Sequence, residues 1–351
     1  MRLLPFKPLT LFLAALLALP TSASADVIVL DNQALPPELR LSGQCGVEIS
    51  GPIDGDTVAR FKDTFRDLAA QPDAAFEAAG EWGLNVCLAG EGGDNAAAVD
   101  LANFFADRKI GTVVGPGQTC TGPCALAFMG GTIDYPTGVG PLRAMSPSSV
   151  LGFSLDAGET EQSSATAYRA LYEILTAGSI SRDRNGAVHS VHRRFPIEVT
   201  LELLRNTGGP GFFIDTLHKA ALLDIALIGV PGASLNAQGL ATLCETAYLL
   251  NSEMPLAGPV GRLLEGIGQE ISPVEPVLGQ NAFGATTFNF SWGAMHPIDC
   301  SVLPLDPGTY LVSTGDISSD DARSRVLKAY NGLPLSTGLA EVGALMDTIT
   351  Q

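Results

Sequence analysis

The stretch from Gly46 to Val230 predicts an α/β fold with a parallel sheet. Short apolar runs alternate with segments whose apolar residues recur at helical spacing, in the order strand–helix, strand–helix, strand–helix. Short Gly-rich turns separate them, Gly90-Glu91-Gly92-Gly93 and Gly115-Pro116-Gly117 among them. After residue 25 there is no long apolar stretch. In parallel sheets of this kind ligands bind beyond the carboxyl ends of the strands. Both Gly-rich turns lie there, so the turns are where a site is expected.

At the start of the chain Arg2 and Lys7 flank a short apolar run, Leu9 to Leu19, followed by Ala23-Ser24-Ala25. Charge, apolar run and small-x-small pattern predict an export signal over residues 1–25, with Asp26 opening the mature chain. The run is short of the ~20 residues that span a bilayer. No cysteine follows the cut to carry a lipid, so no stable membrane anchor is expected. The expected location in a Gram-negative cell is the periplasm.

The formal charge is −17, and removing Arg2 and Lys7 takes it to −19. So acidic a chain repels nucleic acid and anionic lipid. Solubility is the simplest reading of the acidity. The ~325 residues that remain suffice for one large domain and a small one.

An even number of cysteines in an exported chain favours disulfides. Cys120 and Cys124 lie four apart across a turn, where free thiols or a metal pair are alternatives. No Cys-x-x-Cys or His-x-x-x-His supplies further ligands, so a disulfide is favoured and no metal is expected. Cys45 and Cys87 each fall on a predicted strand, and adjacent strands would join them. Cys244 and Cys300 remain.

In order, Val27 to Leu30 is a candidate strand. Gly46 to Ile53 is a second, ending in a Gly-Pro turn. Val58, Phe61, Phe65 and Leu68 mark one face of a helix capped by Asp56 or Thr57. Leu84 to Ala89 is a strand, and a helix follows from about Asn95 to Asp107. Thr112 to Val114 is a buried strand, then comes the Cys turn and a helix from about Cys124 to Met129. Tyr135 to Ser149 reads as irregular, and Val150 to Ser154 as a strand. Helices are expected over 160–177, 196–205 and 214–223, and a strand over 225–230. Near Gly232 the composition changes. A helix carrying Cys244 is expected over 238–251, loop over 255–280, strands over 285–292 and 309–314, and helices over 320–330 and 338–349. The expected division is 1–25 signal, 26–235 main domain, and 236–351 a small disulfide-containing appendage of α+β type.

Gly92-Gly93 after a strand can present two backbone N–H groups to one point, the arrangement of an oxyanion hole. A plain strand–helix turn has the same composition. The second turn, Cys120-Thr121-Gly122-Pro123-Cys124, stands where serine hydrolases often place a nucleophile, yet it contains no serine. Thr121 has a hydroxyl, although turn threonines mostly bond backbone. Glu91 and Asp94 suit a helix start better than acid–base work. His189 and His192 lie in an Arg-rich polar segment, His218 on the polar side of a predicted helix, and His296 before Pro297. None has metal-ligand spacing.

ISGPI at 49–53, CLAGEGG at 87–93 and TVVGPGQTCTGPCALAFMGG at 112–131 resemble the exported relatives of the Clp protease proteolytic subunit, in the ClpP/crotonase superfamily. PIEVTLELL at 196–204 and FFIDTLHKAALLDIALIGV at 212–230 resemble its later helices. The resemblance implies a spiral of β-β-α units and, in active members, a Ser–His–Asp set. Those relatives carry Cys-x-Ser-x-Cys at the turn and Leu-Gly-Phe-His on a later strand. Here the nucleophile position is Gly122 and the base position, after Leu151-Gly152-Phe153, is Ser154. Glycine cannot attack a carbonyl, and a serine hydroxyl is no base near neutral pH. Losing either member of such a set lowers the rate by ~10⁶.

The expectation is therefore a non-catalytic periplasmic protein of this type, without cofactor, holding a peptide or protein partner in a degenerate protease cleft. The alternative is an active serine/threonine-type peptidase, or a crotonase-like acyl enzyme, with displaced catalytic residues such as Thr121. The resemblance also implies self-association.

Overall fold

The computed structural model describes residues 24–30, 45–70, 84–135, 138–154, 165, 169, 172–173, 178–182, 188–196, 199–200, 203, 211–230, 243–244, 247, 277–280, 286–292, 298–306, 309–314, 323–328 and 337–349. The fold is mixed α/β. Its main sheet joins β1 (Asp26–Val29), β2 (Cys45–Ser50), β3 (Asn85–Ala89), β4 (Gly111–Val114), β8 (Arg143–Met145) and β13 (Ile225–Leu227), in that order. The edge strand β1 runs antiparallel to β2. Every other pair is parallel.

The strands are apolar because both sides of the sheet are covered. Val47, Ile49, Val86, Leu88 and Val114 are all buried. Helix α1 (Gly55–Ala69) buries Val58, Phe61 and Leu68, the predicted face. Phe61 meets Phe104 and Phe105 of helix α2 (Asn95–Arg108) edge-on, at 5.9 and 5.3 Å between ring centres. The cap of α1 is neither Asp56 nor Thr57 but Asp54, whose carboxylate accepts from Thr57 N at 2.8 Å. Asp54 is extended, as a cap requires, whereas Asp56 and Thr57 already lie in the first turn.

A smaller sheet lies beside the first. It contains β5 (Thr119–Thr121), β9 (Val150–Phe153) and β12 (Phe212–Phe213), with β5 parallel to β9 and β12 antiparallel to it. Single bridges Gly90↔Cys120 and Ile53↔Gly93 carry the pairing on through the turns after β3 and β2. Helix α3 (Pro123–Phe128) follows β5 and is wholly buried.

Tyr135 to Ser149 is not irregular. It contains the second half of a hairpin, β6 (Thr132–Tyr135) with β7 (Gly138–Pro141), and then β8 in the main sheet. Proline and glycine are tolerated here because, among the described residues, β6 and β7 pair with no further strand. His189 and His192 lie on β11 (Val188–Arg193), paired with β10 (Gly178–Arg182), rather than on a loop or helix end. Helix α4 (Leu217–Leu222) precedes β13.

The C-terminal part is a five-stranded antiparallel meander: β14 (Val277–Gln280), β15 (Thr286–Trp292), β16 (Ile298–Asp306), β17 (Thr309–Thr314) and β18 (Arg323–Lys328). Two expectations fail there. Residues 277–280 form a strand rather than loop, and residues 323–328 form β18 rather than helix. Pairing decides the second case. Leu327 of β18 faces Tyr310 of β17, and both are buried, so the tertiary contact overrides the helical propensity of the segment. Helix α5 (Leu339–Ile349) matches its prediction. Its first residue donates to Asp215 O at 2.8 Å, and Leu217 N donates to Thr337 O at 3.1 Å. One cluster of buried apolar residues includes Val47, Phe153, Cys244, Val302 and Val342, so body and meander share a core.

Three disulfides join Cys45 to Cys87, Cys120 to Cys124 and Cys244 to Cys300, the expected pairs. Such bonds fit an oxidising compartment. Among the described residues no helix is long and apolar enough to cross a membrane.

Candidate functional site

The site grows from where β5 stops. Gly90 N donates to Thr119 O at 2.7 Å, and Thr121 N donates to Gly90 O at 3.0 Å. This parallel register sends both chains out of the sheet at the same end, so Gly92 and Gly122 each lie two residues beyond the Gly90↔Cys120 bridge. On the other side Gly122 N donates to Gly152 O at 2.9 Å, which brings the end of β9 alongside.

Gly122 turns the chain from β5 into α3 with φ 59° and ψ −121°. Side chains rarely adopt this conformation. It makes a sharp strand-to-helix turn, the backbone shape on which serine hydrolases often mount a nucleophile. The Cys120–Cys124 disulfide closes across it. A Cβ built on Gly122 would have one near neighbour, Ser154 Oγ, at 3.3 Å. The two positions expected to be degenerate therefore face each other, and Ser154 is exposed.

Sequence reasoning passed over Pro123. In a turn of this kind the residue after the nucleophile supplies one oxyanion donor through its backbone N–H. Proline has none. The signal was present in the sequence, since Pro123 directly follows Gly122. Proline suits the first position of α3, where no intrahelical partner awaits an N–H.

Gly92 and Gly93 both have positive φ, 73° and 117°, and both are exposed. Their N–H groups donate to no acceptor among the described residues. A Cβ on Gly92 would point into open space, whereas one on Gly93 would strike the backbone of Ile53. The next residue, Asp94, caps α2, accepting from Ala96 N at 2.6 Å and Ala97 N at 3.0 Å. That is the helix-start role expected of it. Glu91 is exposed.

Thr121 lies within β5 opposite Gly152, not in the turn itself. Phe213 of β12 lies against Gly152, where any Cβ would meet its ring, yet keeps 40% of its surface exposed. It puts an apolar surface on the far side of β9 from β5 and Gly122, a feature that sequence reasoning did not single out.

Among the described residues the histidine whose side chain is placed is His218. His218 is on α4, half-buried rather than on a polar face, with Nε2 lacking a partner among the described residues. Burial pushes its pKa below the ordinary value. His296 lies outside the described residues. Among the described residues no group of His, Cys, Asp and Glu is placed to hold a metal.

Charge is perturbed away from the site. Arg143 on β8 is buried and donates to Leu223 O at 3.0 Å. Burial lowers its pKa to about 10, opposed by Asp224. Burial likewise lowers Arg194, which donates to Asn103 Oδ1 at 2.8 Å. The backbone hydrogen bond from Thr57 holds Asp54 below the usual carboxylate range, helped by Thr57 and Ser24 hydroxyls.

No protein-family model and no curated protein matches the chain. Among solved structures the chain is similar to a mutant of the 1510-N membrane-bound stomatin-specific protease in complex with a substrate peptide. Identity is 16% and the TM-score 0.24, over 45% of this chain and 55% of that one. A second mutant of that protease gives 18% and 0.23, over 46% and 62%. The chain thus spans less than two thirds of either protein.

Proposed function

We propose that this chain is a non-catalytic, exported member of the Clp-protease-like group, and that its cleft holds a peptide segment of a protein partner without cutting it. The observation that carries the reading is the loss of three functions at one point. Gly122 supplies no nucleophile, Ser154 facing it supplies no base, and Pro123 supplies no oxyanion N–H.

In this reading the glycine turn and a neighbouring apolar ring hold the peptide. Gly92 and Gly93 are exposed and, like Gly122, follow the Gly90↔Cys120 bridge, and Phe213 offers a part-exposed apolar ring next to Gly152. Backbone donors hold an extended chain, and an apolar surface selects one of its side chains. The spiral of β-β-α units, the division at about residue 235, the periplasmic location and self-association belong to this reading. The three disulfides support export.

The test is a panel of fluorogenic peptides and short-chain esters offered to oxidised, purified protein, with binding of the same peptides followed by fluorescence anisotropy. Binding without turnover is expected. Turnover that disappears in Thr121→Ala would replace this reading with that of an enzyme using a displaced nucleophile.

A further inference from the structure

Two peptide bonds near the start of the chain follow a small-x-small pattern. One is Ala25–Asp26, preceded by Ala23 and Ala25, and the other is Ala23–Ser24, preceded by Thr21 and Ala23. The two cuts differ only by the dipeptide Ser24-Ala25, and the fold uses both residues.

Ala25 has no exposed surface and belongs to the main apolar cluster. Its N–H donates to Pro52 O at 3.0 Å, and its carbonyl accepts from Arg60 Nη2. A Cβ on Gly51 would come within 3.0 Å of Ala25 Cα, so the bare backbone at Gly51 is what admits Ala25. Ser24 Oγ donates to Asp54 Oδ1 at 2.9 Å and accepts from Arg60 Nη2 at 2.7 Å. It also lies 3.1 Å from Thr57 Oγ1. Asp54 is the cap of α1, so Ser24-Ala25 ties β1 to the start of that helix and to the Gly51-Pro52 turn.

We propose that the mature chain begins at Ser24, and not at Asp26. A signal peptidase hydrolyses the Ala23–Ser24 amide. One water is consumed, the departing leader keeps the Ala23 carboxylate, and Ser24 gains the free α-amine. A cut after Ala25 would remove a buried methyl group and the hydrogen bonds of both residues, leaving Arg60 without these two acceptors. The inference rests on the export reading above.

The experiment expresses the full chain in a Gram-negative host, recovers the soluble periplasmic fraction, and determines its N-terminal sequence and intact oxidised mass. The expected start is Ser-Ala-Asp-Val, heavier by one serine and one alanine residue than a chain starting at Asp26. A start at Asp26 or beyond overturns the proposal and leaves export standing. Uncut chain confined to the cytoplasm overturns export and the proposal together. Thr21→Arg, which changes only the leader, places a bulky charge three residues before the proposed cut and five before the other. Loss of the Ser24 start, with precursor or a chain starting at Asp26 in its place, is expected. Unchanged processing of that variant overturns a cut made by a peptidase that reads Thr21 and Ala23.

Discussion

Gly122 and Ser154 face each other across the end of the small sheet, with a Cβ on the glycine placed 3.3 Å from the serine Oγ. Side chains placed at these two positions would be direct neighbours. The turn holds its strained conformation with no side chain to position. Gly122→Ser with Ser154→His should therefore create slow labelling by a fluorophosphonate probe. Adding Pro123→Ala restores a backbone donor and should raise the labelling rate by ~10²–10³, the usual worth of one oxyanion donor. Equal rates for the double and triple variants would show that Pro123 is not what the site lacks.

The same conformation predicts a stability effect. A side chain at φ 59° and ψ −121° is strained, so Gly122→Ser alone should destabilise by ~1–3 kcal/mol in urea unfolding. Gly93→Ala should be worse than Gly92→Ala, because only the former drives its Cβ into the Ile53 backbone. The comparison is a pair of denaturation midpoints under oxidising conditions.

The disulfides differ in the length of chain they close. Cys120 and Cys124 are 4 residues apart, Cys45 and Cys87 are 42 apart. By loop-closure entropy the short bond contributes about 2 kcal/mol and the long one about 4 kcal/mol. Replacing both cysteines of the long pair by serine should lower the unfolding midpoint more than the same change in the short pair.

Much of this was legible beforehand, and the exceptions have physical causes. Apolar runs and Gly-rich turns marked β2, β3 and β4, because strands buried on both faces admit little else. Gly122 and Ser154 are legible only through the resemblance of the blocks around them to a known family. The hairpin and β8 were hidden, since Pro136, Pro141 and a buried Arg143 are poor strand signals. Leu327 was hidden because its partner, Tyr310, is distant in sequence. Phe213 looks like core, and only the fold shows that 40% of it is exposed.

Two titrations give pH predictions. Asp54 has a lowered pKa, so its contribution to stability is complete above the unfolded carboxylate value near 3.8 and is lost as pH falls through the lower folded value. Asp54→Asn keeps a capping side chain and should flatten that acid limb, whereas Asp54→Ala should cost ~0.5–2 kcal/mol at neutral pH. His218 is held neutral by burial, so the unfolded chain takes up its proton first. Stability should fall as pH drops below about 6.5 toward the lower folded value, and His218→Leu should remove that slope. Urea midpoints measured against pH check both.

The most direct test of the proposed function is the intact mass of oxidised wild-type protein before and after exposure to a fluorophosphonate probe. The non-catalytic reading predicts an unchanged mass. A stoichiometric adduct mapped to one serine or threonine would contradict it and identify an active nucleophile.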